Sequence, residues 1–206
     1  MTDPLDPFSS PGAAGLLAAF GIASLAGLFA MPELINRGLL RPYWLVRRHQ
    51  YLTLVTSGFL HADLPHLLFN AFTFWAFAPP LERAMGTGPF LGLYVFGLLV
   101  SGLATWFKHR HDPGYQCLGA SGAILAVLFA SIVHFPSSSI FIMPLPFPIP
   151  APLFAVAYLA YSYYASRQAK DKVNHDAHLT GAVAGLVFVG LLEPEALAHA
   201  WHAFTR

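Results

Sequence analysis

Charged side chains divide this chain into long apolar runs with short polar punctuation. Asp, Glu, Lys and Arg are absent from residues 7–32, 64–81, 87–107, 113–166 and 177–192. A helix needs about 20 apolar residues to cross a bilayer, so each of the first three runs predicts one span. The fourth is too long for one span. It is interrupted by Pro136, Ser137, Ser138 and Ser139, then by Pro144, Pro146, Pro148, Pro150 and Pro152. Proline lacks the N–H that a helix interior needs, so this run predicts two spans joined by a Pro-rich loop. The last run predicts a sixth span, slightly short, which a locally thinned bilayer or a recessed position accommodates. The predicted spans are 12–31, 64–82, 88–107, 117–135, 152–167 and 176–193.

The segment between the first two spans carries Arg37, Arg41, Arg47 and Arg48 beside Tyr43, Trp44, Leu45 and Tyr51. Four arginines exclude a span, and the aromatics suit a segment lying against the headgroups. Residues 194–206 predict a short surface helix. The first eleven residues are acidic and Pro-rich (Asp3, Asp6, Pro4, Pro7, Pro11), without the basic start of a signal peptide, and the apolar run after them is too long for one. That run reads as a retained transmembrane helix. The expected fold is all-α, a six-helix membrane bundle with a long interfacial first loop, forming one domain over 1–206.

Composition agrees. Hydrophobic residues make up 56% and charged residues 10%, against about 25% charged in soluble domains, and mean hydropathy is +0.56. The net charge of +1 suggests neither nucleic acid nor a strongly acidic substrate. Cys117 is the only cysteine, so no internal disulfide forms. There is no CxxC, HExxH or P-loop pattern, and no metal or cofactor is implied. Gly181 with Gly185, and Gly88 with Gly92, are spaced for close helix contact.

Polar groups inside spans are expensive and therefore informative. His66 and Asn70 lie in the second span, Ser121 in the fourth and His178 in the sixth. Spans two, four and six run in one direction, and all four residues lie near their starts, so they share one depth and one leaflet. Ser121 stands in Gly119-Ala120-Ser121-Gly122. A serine there reads as a helix cap or packing residue, or as a nucleophile if a base is near. A helix start also offers free N–H groups to an oxyanion, and the flanking glycines let a substrate backbone approach. His178 shares a helix face with Gly181, Ala182 and Gly185. It reads as a hydrogen-bonded structural histidine or as a general base facing a close neighbour. His175, read as nearer the surface, makes an i,i+3 pair with it but has no third ligand of clear spacing. His66 and Asn70 share one face and could donate to an oxyanion or join two helices. His61 and Asp63 precede the span and read as interfacial.

Three stretches together carry a resemblance: His61-Ala62-Asp63-Leu64-Pro65-His66-Leu67-Leu68-Phe69-Asn70, Gly119-Ala120-Ser121-Gly122, and Ala177-His178-Leu179-Thr180-Gly181. In order, spacing and span placement they resemble the rhomboid family of intramembrane serine proteases, over about residues 50–192. The resemblance implies a six-helix rhomboid fold and a Ser–His dyad cleaving transmembrane proteins in or near the membrane. Ser121 would be the nucleophile and His178 the base. Asn70, His66 and the Ser121 N–H would hold the oxyanion, with no acidic third member. Gly119, Gly122, Gly181 and Gly185 would allow close packing around the site. Two departures stand out. Leu52-Thr53 replaces the Trp-Arg pair of many members, and Leu125 stands where some members have an aromatic one turn after the serine.

The resemblance implies an integral protein of a bacterial inner membrane, with the site facing outward. Charge counting points the other way. Arg37, Arg41, Arg47, Arg48, Lys108, Arg110, Arg167, Lys170 and Lys172 fall on the site's side, and only Arg83 and Arg206 on the other, which by the positive-inside rule makes that side cytoplasmic. Two other functions compete. A catalytically silent relative that binds transmembrane clients would generally lack the serine or the histidine. A transporter would need ionisable groups at the span centres.

Overall fold

The computed structural model describes residues 9–142, 147–168 and 173–204. Asp3, Asp6, Pro4, Pro7, Pro144, Pro146, Lys170, Lys172 and Arg206 lie outside them. The chain is predominantly helical. Helix α1 (Pro11–Leu25) runs into a π-helical turn, Ala26–Ala30. Short helices α2 (Pro32–Gly38), α3 (Pro42–Arg47) and α4 (Thr53–Thr56) follow, with a 3-10 turn at Ser57–Phe59. Then come α5 (Leu64–Met85), α6 (Thr87–His109), α7 (Ser121–His134), α8 (Ala151–Gln168), α9 (His175–Leu192) and α10 (Pro194–Phe204).

Local chemistry sets the helix ends. Pro11, Pro32 and Pro42 each start a helix, where the missing N–H costs nothing. Asp63 caps α5, its Oδ1 accepting from the His66 N–H at 2.8 Å. Gly86, at φ +86°, makes the tight junction between α5 and α6. Helix α7 begins at Ser121, later than the predicted 117. The residues before it are extended instead: the Leu40 and Cys117 backbones exchange two 3.0 Å hydrogen bonds, and the Gly119 N–H donates to the Ser57 carbonyl at 2.9 Å. The Pro-rich loop contains a small antiparallel hairpin, β1 (Ser139–Ile140) with β2 (Ile149–Pro150), which periodicity did not predict.

Among the described residues, three helical stretches are long and apolar enough to cross a membrane: Pro11–Ala30, Thr87–His109 and His175–Leu192. Helix α7 is apolar but shorter. It is also the centre of the bundle. Every residue from Gly122 to Val133 is buried, and α5, α6, α8, α9 and α10 all pack against it. Phe20, Phe74 and Tyr94 interlock edge to face on one side of this core. Phe129, Phe154 and Tyr158 fill the space between α7 and α8.

The opposite end of the bundle from the α7 start has its own anchor. The Glu82 carboxylate is buried and accepts from the Gly12 N–H (2.9 Å), the Ala13 N–H (2.7 Å) and the Thr87 hydroxyl (2.7 Å). One anion thus caps the start of α1, where free N–H groups and the dipole favour negative charge.

Candidate active site

Helix α7 presents Ser121 at its first position. Its opening N–H groups have no partner within the helix, because the first turn precedes any acceptor. Gly119, two residues earlier, sits at φ +130°, a conformation that side chains disfavour. A Cβ there would also press on the His66 ring, 2.8 Å from Cε1. Glycine therefore lets His66 lie directly against the turn that leads to the serine.

Helix α9 brings His178. Its start is fixed by Asn174, whose Oδ1 accepts from the Ala177 N–H at 3.0 Å and whose Nδ2 donates to Thr105 Oγ1 of α6 at 3.0 Å. Asp176 adds a second tie to α6. Lys108 Nζ donates to it at 2.7 Å, and His109 Nε2 lies 3.3 Å from its other oxygen. The His109 ring stacks on Tyr115 at 3.6 Å. The Asp176 carboxylate thus faces α6 rather than His178.

The two helices meet through their small residues. A Cβ on Gly181 would overlap the Gly122 carbonyl, and one on Gly185 would overlap that of Ala126. A Cβ on Gly122 would overlap Ser101. With the backbones this close, His178 Nε2 lies 2.9 Å from Ser121 Oγ. The second Gly pair behaves differently: nothing lies within 4 Å of a Cβ on Gly88, and Gly92 merely touches Phe188.

The other ring nitrogen, His178 Nδ1, lies 3.1 Å from the Tyr158 hydroxyl of α8. Sequence reading missed Tyr158. Its only signal was the aromatic repeat Phe154, Tyr158, Tyr161 along one apolar run, which reads as packing. Leu125, where an aromatic was looked for, is an ordinary core residue. If Nε2 accepts the serine proton, Nδ1 carries the ring proton and donates it to the tyrosine oxygen.

Asn70 is buried, and its Nδ2 donates to the His66 carbonyl one turn back at 2.9 Å. That leaves its second N–H uncommitted to this bond. Two readings need correction. His61 is completely buried rather than interfacial. Its Nδ1 pairs with Ser24 Oγ of α1 at 2.8 Å, and its ring meets that of His66 edge-on at 4.9 Å. Because Ser24 donates to the Phe59 carbonyl, it accepts from His61, whose Nδ1 therefore bears the proton. His175 is likewise buried, packed on Tyr161 and His178, because α9 begins there and turns its first residue into the bundle. At the Leu52-Thr53 pair, Leu52 is exposed and the buried Thr53 donates to the Gln50 carbonyl at 2.7 Å.

The chain is similar to known proteins. The family model for the Rhomboid domain matches residues 48–194. "Putative rhomboid protease YdcA" of Bacillus subtilis is 37% identical over 82 residues, covering 40% of this chain and 40% of that protein. "Presenilin-associated rhomboid-like protein A, mitochondrial" of Danio rerio is 29% identical over 149 residues, 68% of this chain and 37% of that one. "Rhomboid protein 1, mitochondrial" of Saccharomyces cerevisiae is 27% identical over 179 residues, 83% of this chain and 51% of that one. The matches therefore span about half or less of these relatives' length. With the matched domain covering most of its length, and membrane-compatible helices within it, this chain belongs to the rhomboid family.

Proposed function

We propose that the protein is an intramembrane serine endopeptidase that cleaves transmembrane proteins in or near the bilayer. The observation that carries this reading is the 2.9 Å approach of Ser121 Oγ to His178 Nε2, with Nδ1 held by Tyr158. In this reading α1, α5, α6, α7, α8 and α9 are six spans of one membrane domain, in a bacterial inner membrane.

The chemistry follows from the geometry. His178 Nε2 takes the Ser121 proton as Oγ attacks the scissile carbonyl carbon. A helical peptide bond is shielded by its own turn, so the substrate must be extended locally first. The new oxyanion is held by the Ser121 N–H at the start of α7, by the free N–H of Asn70 and by His66. Collapse breaks the C–N bond, and His178 returns its proton to the leaving amine. Water then enters by the same base and releases the acyl group. Tyr158 takes the orienting place that an acid holds in a Ser–His–Asp triad. Its neutral oxygen fixes the tautomer without adding a charge at membrane depth.

A fluorophosphonate probe and a transmembrane test substrate in liposomes examine this together. Wild type should label at Ser121 and cleave, and Ser121→Ala and His178→Ala should each do neither. Full cleavage by Ser121→Ala would overturn the mechanism. Client binding without labelling or cleavage would point instead to a silent rhomboid-like protein.

A further inference from the structure

We infer that the cleft between α3 and the end of α6 is a binding site for the phosphate of an anionic phospholipid. The cleft has a volume of about 340 Å³ and is lined by Val46, Arg47, Trp106, Arg110 and His111. Two arginines line it from different elements, and the guanidinium of each is held in place. Arg47 stacks over Tyr43 at 3.9 Å and donates to the Tyr43 carbonyl at 2.8 Å and the Arg110 carbonyl at 3.4 Å. Arg110 stacks over Phe107 at 3.9 Å and donates to its carbonyl at 2.6 Å. Arg48 repeats the arrangement beside them, 3.9 Å above the Trp44 ring.

Among the described residues, no carboxylate makes an ion pair with Arg47, Arg48 or Arg110. The nearest acid in sequence, Asp112, accepts from the Gly114 N–H. A guanidinium has five N–H donors in a planar fork, and the bonds above use only some of them. A phosphate diester suits the remainder, since forked donors match its oxygens.

The surroundings select a lipid. Val46 and Phe107 are exposed beside the arginines, and α6 is one of the helices apolar enough to cross a bilayer. An acyl chain would cover such surface, whereas a soluble phosphate would leave it wet. A zwitterionic headgroup would bring its own cation against two arginines that make no ion pair among the described residues. An anionic one would not. The cleft sits at the dyad end of the bundle, because Lys108 and His109, in the last turn of α6, bind Asp176 of α9.

The test uses the full chain in micelles doped with equal amounts of phosphatidylglycerol and phosphatidylcholine, read by native mass spectrometry. Wild type should retain phosphatidylglycerol preferentially. The double variant Arg47→Gln/Arg110→Gln should lose roughly 10–30-fold of that preference, from two juxtamembrane cations. Arg37→Gln/Arg41→Gln, which removes the same charge from the segment that carries Arg47, should keep it. Equal loss in both pairs would mean diffuse attraction and overturn the site, as would unchanged retention in the first. Displacement of the lipid by millimolar inorganic phosphate alone would overturn the lipid assignment. Should the double variant not fold, Arg47→Gln and Arg110→Gln singly carry the test, each expected to lose about 3–5-fold. The readout is lipid retention and is independent of proteolysis.

Discussion

The Tyr158 hydroxyl lies 3.1 Å from His178 Nδ1, on the side of the ring away from Ser121. It can accept the ring proton and so present Nε2 as the acceptor. Tyr158→Phe keeps the ring packing on Phe129 and Phe154 but removes this acceptor. We expect kcat to fall roughly tenfold with KM little changed. That is less than the 10²–10⁴-fold range of a general base itself. The pH–rate profile should shift as well, since the histidine loses a partner of its protonated form. An unchanged profile and kcat would make Tyr158 a packing residue only.

Gly181 and Gly88 offer a matched contrast. Both head a GxxxG pair, but only Gly181 faces backbone at contact distance. Gly181→Ala must push α9 off α7, a strain of about 1–3 kcal/mol, and the first distance to grow is that between Ser121 and His178. Thermal unfolding in micelles should show a lowered midpoint, with reduced fluorophosphonate labelling of the protein that remains folded. Gly88→Ala should change neither.

Glu82 ties α1 to the junction of α5 and α6 through three hydrogen bonds. Glu82→Ala leaves the buried α1 N–H groups without their acceptor and should cost roughly 2–4 kcal/mol. Glu82→Gln keeps one acceptor oxygen and should cost less. Because this anchor lies at the end remote from Ser121, activity per folded molecule should persist in both. Equal stability of all three proteins in denaturant titrations would contradict the role given to the carboxylate.

Stability should also depend on pH through His61. Burial, reinforced by the neighbouring His66, pulls its pKa from the ordinary 6.5 down to about 3. The unfolded chain therefore binds a proton that the folded one refuses. The sign is fixed: this contribution is complete above about pH 6.5 and is lost as pH falls from there toward 3. Melting midpoints measured across that window should decline for wild type. The decline should be shallower for His61→Phe, even if that variant starts lower.

The helices and the pairing of Ser121 with His178 were legible for one reason: helical spacing. Ser121, His178 and Gly181 stand out because polar and small residues are rare in apolar runs and recur at helical spacing. Tyr158 was hidden because an aromatic in an apolar run has the same pattern whether it packs or orients a base. His61 was misplaced because a residue just before a helix has no periodicity to assign its direction. Only the fold brings Ser24 and His66 to either side of it. The late start of α7 was invisible for a similar reason: Cys117 is held extended by Leu40, a partner far away in sequence.

The shortness of α7 has a consequence for the reagent that proteolysis needs besides a peptide. At 14 residues the helix rises only about 21 Å, well short of the roughly 30 Å of hydrocarbon in a bilayer. Its flanks are enclosed by protein, and its first residue, Ser121, lines a small cleft with Ser57, Ser101 and Asn174. In the proposed function, such a cleft would let water reach the Ser121 hydroxyl from the headgroup side while the surrounding helices hold the acyl chains away. Hydrolysis inside a membrane would then need no dedicated channel; a helix about two turns too short would admit the water.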